Sequence, residues 1–450
     1  MRVFGVILLF ISALTSAQQN EMSFALLRQN DGLGISSDSL ESSSSFYKHI
    51  KSISLGQNNI LSLGGSNRFQ VESFINEQFG SLPVNDNLWF LNRTMLHAHL
   101  NLGRRFQFFG ELNSSQITDK EALVPVDRDE LSINQLFIAY SFNNRWSLLL
   151  GRENFRLGSG RLIDVREGPN VRRSFDQIKL MYRSATTDVR VFFAIPVQPK
   201  PGVFDNEALE TSEFVAGLYM TKRLVPTLNF DIYYLFKKEE DKIWNKGIGS
   251  DERSSIGIRH FGKLNKLRFN NEFVYQFGDF DAEEISAWTA SFNLEGDLQW
   301  LGHTFTLGIK TEAISGDSDL DDNKLNTFDG LYPRGAYFGR VARFGPSNLV
   351  DVHPYLNTNI GQFYVELDYV SFWRFSSDDG VYNPALILEY PAQNDNRKIA
   401  QQIGTITGIE ISKHFALELE TNLIFPETFL RRSNLNNTLF HSVLTAEFKF

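Results

Sequence analysis

The 450-residue chain contains no cysteine. That absence removes structural disulfides, thiolate metal sites and cysteine nucleophiles together. Past its first residues the chain also has no apolar run of the ~20 residues that a membrane-spanning helix needs. Nor is there a positive surplus: 44 Lys and Arg stand against 53 Asp and Glu, a formal charge of −9. This balance argues against nucleic acid as the main partner. A charged fraction of 22% beside 42% hydrophobic residues excludes wholesale disorder. What is abundant is phenylalanine, 40 residues against 32 glycines, where ordinary composition has glycine among the leaders.

The N-terminus reads as a secretory signal. Arg2 precedes an apolar run from Val3 to Leu14, and Thr15-Ser16-Ala17 supplies the small residues of a cleavage site. Cleavage near Ala17 leaves 43 basic residues (44 minus Arg2) against 53 acidic, or −10. An exported chain without apolar helices can sit in a membrane only as a closed barrel. Residues 18–60 include the run Ser36-Ser-Asp-Ser-Leu-Glu-Ser-Ser-Ser-Ser45, which has little to bury. They are expected to form a flexible segment, a possible plug of the lumen or of its periplasmic mouth.

From 61 to 450 one pattern repeats: eight to twelve residues of alternating character, then a polar stretch. Phe415, Leu417, Leu419, Leu423 and Phe425 share one strand face, and Glu418, Glu420 and Asn422 the other. The same period sets Phe363, Val365, Leu367, Tyr369 and Trp373 opposite Glu366 and Asp368, and Phe273, Tyr275 and Phe277 opposite Glu272 and Gln276. Soluble strands average about five or six residues, whereas a membrane-crossing strand needs ~9–11. Aromatics at both ends of an apolar face are the mark of two interfacial girdles. The 390 residues from Leu61, at roughly 20–24 per strand and connection, predict an all-β, large transmembrane antiparallel barrel of on the order of 16–20 strands, an even number. It would stand in outer-membrane lipid, with the phenylalanine excess forming the lipid-facing band. Its last strand, ending on Phe450, resembles the signal read by the barrel assembly machinery.

The densest charge cluster lies between 152 and 173. Six arginines (Arg152, Arg156, Arg161, Arg166, Arg172, Arg173) face three acids (Glu153, Asp164, Glu167), a local +3 in an acidic protein. Arginine is always charged and suited to bidentate carboxylate recognition, so the cluster is a candidate anion site. The plainer alternative is structural pairing with lumen carboxylates such as Glu366, Asp368, Glu418 and Glu420.

The stretch Leu149-Leu-Gly-Arg-Glu-Asn-Phe-Arg-Leu-Gly-Ser-Gly-Arg-Leu162, with Val165-Arg-Glu-Gly-Pro-Asn-Val-Arg-Arg-Ser-Phe-Asp176, resembles the signature of the alginate export family of outer-membrane porins. Asn92-Arg-Thr-Met-Leu-His-Ala-His-Leu100 and Thr327-Phe-Asp-Gly-Leu-Tyr-Pro-Arg-Gly-Ala-Tyr-Phe-Gly339 agree, and the N-terminal segment is similar to Bacteroidetes-type members. The resemblance implies a barrel of about 18 strands whose constricted, Arg-lined lumen passes an anionic polysaccharide, oligosaccharide or other anionic solute by diffusion. It carries Arg152, Arg161, Arg166, Arg172 and Arg173 over as pore-lining residues, with Asp164, Glu167 and Asp176 as their carboxylate partners. Arg93, Arg334 and Arg340 follow from the flanking segments. One departure stands out: Arg152 shares parity with Trp146, Leu148 and Leu150, so strict alternation turns it to lipid unless a bulge near Gly151 intervenes.

Other motifs carry less. Asp317-Ser-Asp-Leu-Asp-Asp322 resembles a calcium loop, but Asp322 replaces the turn glycine and Phe328 the bidentate glutamate. His97 and His99 have no third ligand nearby in sequence. No cofactor, metal or catalytic residue is expected. The alternatives to a channel are a plugged structural or glycan-binding surface barrel and, more remotely, a lumenal glycan-modifying enzyme using carboxylates such as Glu418 and Glu420.

Overall fold

The computed structural model describes residues 24–31, 49–56, 58–81 and 86–450. The expected signal segment and the serine-rich run lie outside these described residues. Eighteen long strands follow one another around a single wall. The first six are β1 (Asn59–Ile75), β2 (Asn87–Leu102), β3 (Phe106–Thr118), β4 (Asp129–Ser141), β5 (Trp146–Glu153) and β6 (Phe175–Arg183). Next come β7 (Thr187–Pro196), β8 (Glu213–Val225), β9 (Leu228–Trp244), β10 (Gly247–Leu264), β11 (Leu267–Phe280) and β12 (Glu283–Trp300). The circuit ends with β13 (His303–Ile314), β14 (Leu349–Ile360), β15 (Phe363–Trp373), β16 (Lys398–Ser412), β17 (Phe415–Pro426) and β18 (Leu439–Lys449). Each pairs antiparallel with the next, and β18 returns to β1 with Ser66 opposite Lys449 and Ile75 opposite Phe440. Closure leaves no strand edge unpaired, the condition for a sheet in hydrocarbon.

Alternation fixes which row faces out. Leu136, Leu150 and Ile178 are exposed, while Gln135, Leu149 and Lys179 are buried inside the wall. An exposed apolar row around a polar interior is the arrangement that lipid solvates. Asn59 and Phe450 lie at the end with tight turns, such as residues 103–105 and 265–266; the long connections 154–174, 197–212, 315–348, 374–397 and 427–438 all leave from the other end. Short turns mark the periplasmic end of such barrels.

The wall is uneven. β5, β6 and β7 have 8, 9 and 10 residues, against 18 in both β10 and β12. Where the wall is low the chain turns inward, and loop 154–174 meets loop 315–348. The Asp164 N–H donates to Tyr332 O at 3.0 Å, the Tyr332 N–H to Leu162 O at 2.8 Å, and Arg173 Nη1 to Pro333 O at 3.1 Å. Together the loops bury Phe155, Ile163, Phe328, Tyr332 and Phe344 against wall residues Phe175, Phe192, Val274 and Phe372.

This packing corrects the expectation for phenylalanine. Among the described residues thirteen are exposed, and another thirteen are buried. Loops drawn into the lumen need an apolar core of their own, worth roughly 1.5–3 kcal/mol per fully buried side chain.

Candidate functional site

The cluster of arginines on loop 154–174 divides by partner. Arg161 is held between two wall strands: its guanidinium pairs with Glu312 on β13, lies 3.3 Å from Glu272 on β11, and donates to the Tyr337 hydroxyl at 2.9 Å. Burial alone would lower its pKa, but the Glu312 carboxylate beside it holds it well above the usual arginine value. Arg156 pairs with Asp164 at 3.1 Å. Gly160, at φ +76°, permits that approach: a Cβ there would lie 2.3 Å from Asp164 Oδ2 and 2.5 Å from Arg156 Nε.

Glu167 gathers three cations. Arg172 and Arg93 both pair with its carboxylate, and Arg68 Nη1 stands 3.8 Å away. Arg68, on β1, also donates to the carbonyls of Glu167 and Pro169, each at 2.9 Å. Burial would raise the Glu167 pKa, yet Arg172, Arg93 and Arg68 hold the carboxyl far below its ordinary range.

Arg152 differs from the rest. It sits opposite Leu136, which is 57% exposed on the outward face, and opposite Asp176. Its Nε and Nη2 clamp Asp176 at 2.8 and 2.9 Å, and Nη1 donates to Ile133 O at 3.1 Å. Gly151 has a φ of +126°, but the pairing of β5 with β4 and β6 shows no register shift. Arg152 therefore keeps the outward register.

Arg166 and Arg173 are adjacent and have no carboxylate partner among the described residues. Arg166 donates a hydrogen bond only through its backbone, to Asp164, and its Nε is buried with no partner. Arg173 donates to Pro333 O and lies 5.2 Å over the Tyr332 ring. Burial, with Arg173 beside it, pushes the Arg166 pKa well below the usual value. Arg334 likewise rests on an aromatic face, 5.3 Å from the Tyr337 ring centre.

Two cavities flank the place where the loops meet. The first, about 310 Å³, lies toward the turn-bearing end between Ser66, Arg68, Glu167, Arg172, Arg340 and Glu418. The second, about 260 Å³, lies toward the loop end, with Gln70 and Glu72 of β1 on one side and Arg166, Arg173, Arg340 and Arg343 on the other. Arg340 borders both. Between them the loops touch: a Cβ on Gly168 would lie 2.8 Å from that of Ala336, and one on Gly335 2.6 Å from Pro169 Cδ.

In the second cavity most cations are already neutralised. Lys120 pairs with Asp127 at 2.8 Å, Arg343 with Glu77 at 2.9 Å, and Arg340 with Glu418 at 3.0 Å and Glu420 at 3.4 Å. The positive charge left without an ion pair among the described residues belongs to Arg166 and Arg173, with Glu213, Asp164 and Asp329 near enough to Arg173 to favour its charged form. Two like charges held together away from bulk water are unfavourable without an anion.

Pairing with the four expected lumen carboxylates is thus corrected for the cluster. Glu418 and Glu420 serve Arg340, Asp368 serves His353 at 3.0 Å, and Arg161 instead takes Glu272 and Glu312, which sequence reasoning had not joined to it. Arg68 was also missed, although its parity opposite Phe69 and Val71 marks it as facing inward. His97 and His99 both pack on the Phe109 ring, at 5.4 and 5.7 Å. The oxygens of the Asp317–Asp322 segment converge on the Lys246 ammonium, with Asp322 O at 2.8 Å and Asp322 Oδ1 at 2.9 Å.

A closed wall of eighteen antiparallel strands with an apolar exterior and inward-folded loops defines an outer-membrane barrel of the channel-forming kind. Its sequence matches the family model for alginate export over residues 59–439, and the chain belongs to that family. No curated sequence matches it. The fold is shared with OpdO of Pseudomonas aeruginosa at a TM-score of 0.59 and 12% identity, over 87% of this chain and 97% of that one. OccAB4 of Acinetobacter baumannii aligns at 0.57 and 12%, over 86% and 98%. OpdK of P. aeruginosa, solved with vanillate, aligns at 0.57 and 10%, over 86% and 98%.

Proposed function

We propose that this outer-membrane channel passes anionic solutes by passive diffusion, with acidic oligosaccharide or polysaccharide as one class among them. The observation that carries the reading is the adjacent pair Arg166 and Arg173, which borders a cavity in the lumen and makes no ion pair with a carboxylate among the described residues. Positive charge focused in a low-dielectric passage raises the local concentration of anions and their rate of entry.

Roles divide accordingly. Arg166 and Arg173 meet the solute, Arg340 borders both cavities, and Arg334 adds to the positive field. Arg161, Arg172 and Arg93, with Glu167 and Asp164, hold the loop that presents the pair. Arg152 is bound to Asp176 on the outward register and is left out of the lining. Insertion through the barrel assembly machinery, led by β18, belongs to the same reading. Glycan hydrolysis is disfavoured because Glu418 and Glu420, two residues apart on one strand, both engage Arg340.

The test is single-channel recording in planar bilayers. The Arg166→Ala/Arg173→Ala double variant is expected to lower the anion-to-cation permeability ratio on the order of tenfold, with the barrel still folded. A folded variant that keeps the wild-type ratio removes the pair from selectivity.

A further inference from the structure

At the turn-bearing end, residues 24–31 do not trail away from the barrel. They fold into a tight turn around Arg28–Asn30, and Arg28 and Gln29 are only 4% and 7% exposed. Arg28 Nη2 donates to the Phe450 oxygen at 2.9 Å and Nη1 to Gly65 O at 3.4 Å, which ties the turn to the seam between β18 and β1. One residue on, Gln29 Nε2 donates to Asn154 O at 2.9 Å and to Glu153 Oε1 at 3.4 Å, at the end of β5. The two anchors are separated on the wall by β2, β3 and β4, so the turn bridges across the interior.

The turn is braced from within. Asp31 accepts from Arg28 Nε at 2.5 Å and from the Ala25 N–H at 2.8 Å. Arg28 lies 4.7 Å over the Phe24 ring, which packs 5.5 Å from the His414 ring. Lys51 donates to the same Phe450 oxygen at 3.1 Å. A short free segment is kept disordered by roughly 1–2 kcal/mol of backbone entropy per residue. Burying a guanidinium there requires a matching set of acceptors, and the seam supplies them. Phe24, Ala25, Leu26 and Arg28 also line the first cavity, together with Arg68 and Arg340.

We propose that residues 24–31 are a resident stopper of this cavity, pinned by Arg28 and Gln29, whose withdrawal joins the cavity to the turn-bearing mouth. The proposal rests on the channel reading. Because the chain has no cysteine, Gln29→Cys introduces its only thiol, and full-length protein in lipid vesicles can be probed with a membrane-impermeant thiol reagent. Gln29→Cys is expected to react at least about tenfold more slowly than Leu26→Cys, and to be accelerated when Arg28→Ala is added. Arg28→Ala alone is expected to give a larger single-channel conductance than wild type. If that variant fails to fold, Arg28→Lys, which keeps the charge but lacks the guanidinium that spans the Phe450, Gly65 and Asp31 acceptors, takes its place.

Gln29→Cys reacting as fast as Leu26→Cys overturns the stopper and leaves the channel reading standing. Accelerated labelling with unchanged conductance does the same. No conductance in either wild type or Arg28→Ala overturns the channel reading, and the stopper with it.

Discussion

Arg161 and Arg166 lie five residues apart on one loop, and their surroundings are opposite. Arg161 reaches two wall carboxylates and a tyrosine hydroxyl; among the described residues the Arg166 side chain reaches none and borders a cavity with Arg173. The first fastens the loop to the wall, and the second leaves a positive charge for something else to neutralise. Local charge density does not separate these cases. What separates them is whether a strand far along the chain offers a carboxylate at the right height.

The largest expected effect comes from breaking the fastened half. Arg161→Ala leaves Glu272 and Glu312 buried without their cation, a loss of about 3–5 kcal/mol. It should appear as a large drop in the thermal unfolding temperature of the detergent-solubilised barrel. An unchanged unfolding temperature would mean that this pairing does not hold the loop.

Glu167→Gln is expected next. It keeps the shape but removes the charge shared by Arg68, Arg93 and Arg172, at about 2–3 kcal/mol. It also adds positive potential beside the first cavity, so anion preference should rise as stability falls. Stability and selectivity moving together would erase the distinction between fastening and presenting arginines.

Asp317 gives the acidic counterpart of Arg166. Its Oδ2 is buried without a hydrogen-bond partner, 3.7 Å from Lys246. Burial raises its pKa to about 6; Lys246 pulls it down, and Asp379 and Asp322 push it further up. A folded-state pKa above the unfolded value of 3.8 means that the stabilising contribution is present below about pH 4 and lost as pH rises through about 6. Asp317→Asn should therefore raise stability by about 1–2 kcal/mol at pH 7.5 and change it little near pH 4. Melting curves at the two pH values check this.

The smallest effect on conduction is expected from Arg152→Ala. Removing a bidentate partner of Asp176 should lower stability by about 1–2 kcal/mol and leave ion selectivity where it was. A selectivity change in planar bilayers would show that the outward register does not isolate Arg152 from the lumen.

Much of the fold was legible before the structure. The two-residue period of Phe415–Phe425 and its relatives names strands and their outward faces, because a side chain's face depends only on local parity. Strand length and chain length together lead to roughly 16–20 strands, because bilayer thickness sets the length of each strand; the family resemblance narrows this to about eighteen. The parity of Arg152 pointed to the outward row but left a bulge near Gly151 open, and only the unshifted pairing of β5 decided between them. The phenylalanine excess was less informative, because composition does not distinguish lipid-facing rings such as Phe273 from rings under an inward loop such as Phe328.

By itself, then, the sequence determined the barrel class, the approximate number of strands, the sidedness of the most regularly alternating strands and the existence of an arginine-rich loop. Only the tertiary structure decided which arginines are neutralised. Glu272 and Glu312 reach Arg161 from strands over a hundred residues away, and Arg28 finds its acceptors at Gly65 and Phe450 only because the wall closes β18 onto β1. Such pairings are set by ring closure and loop path, which local patterning does not encode.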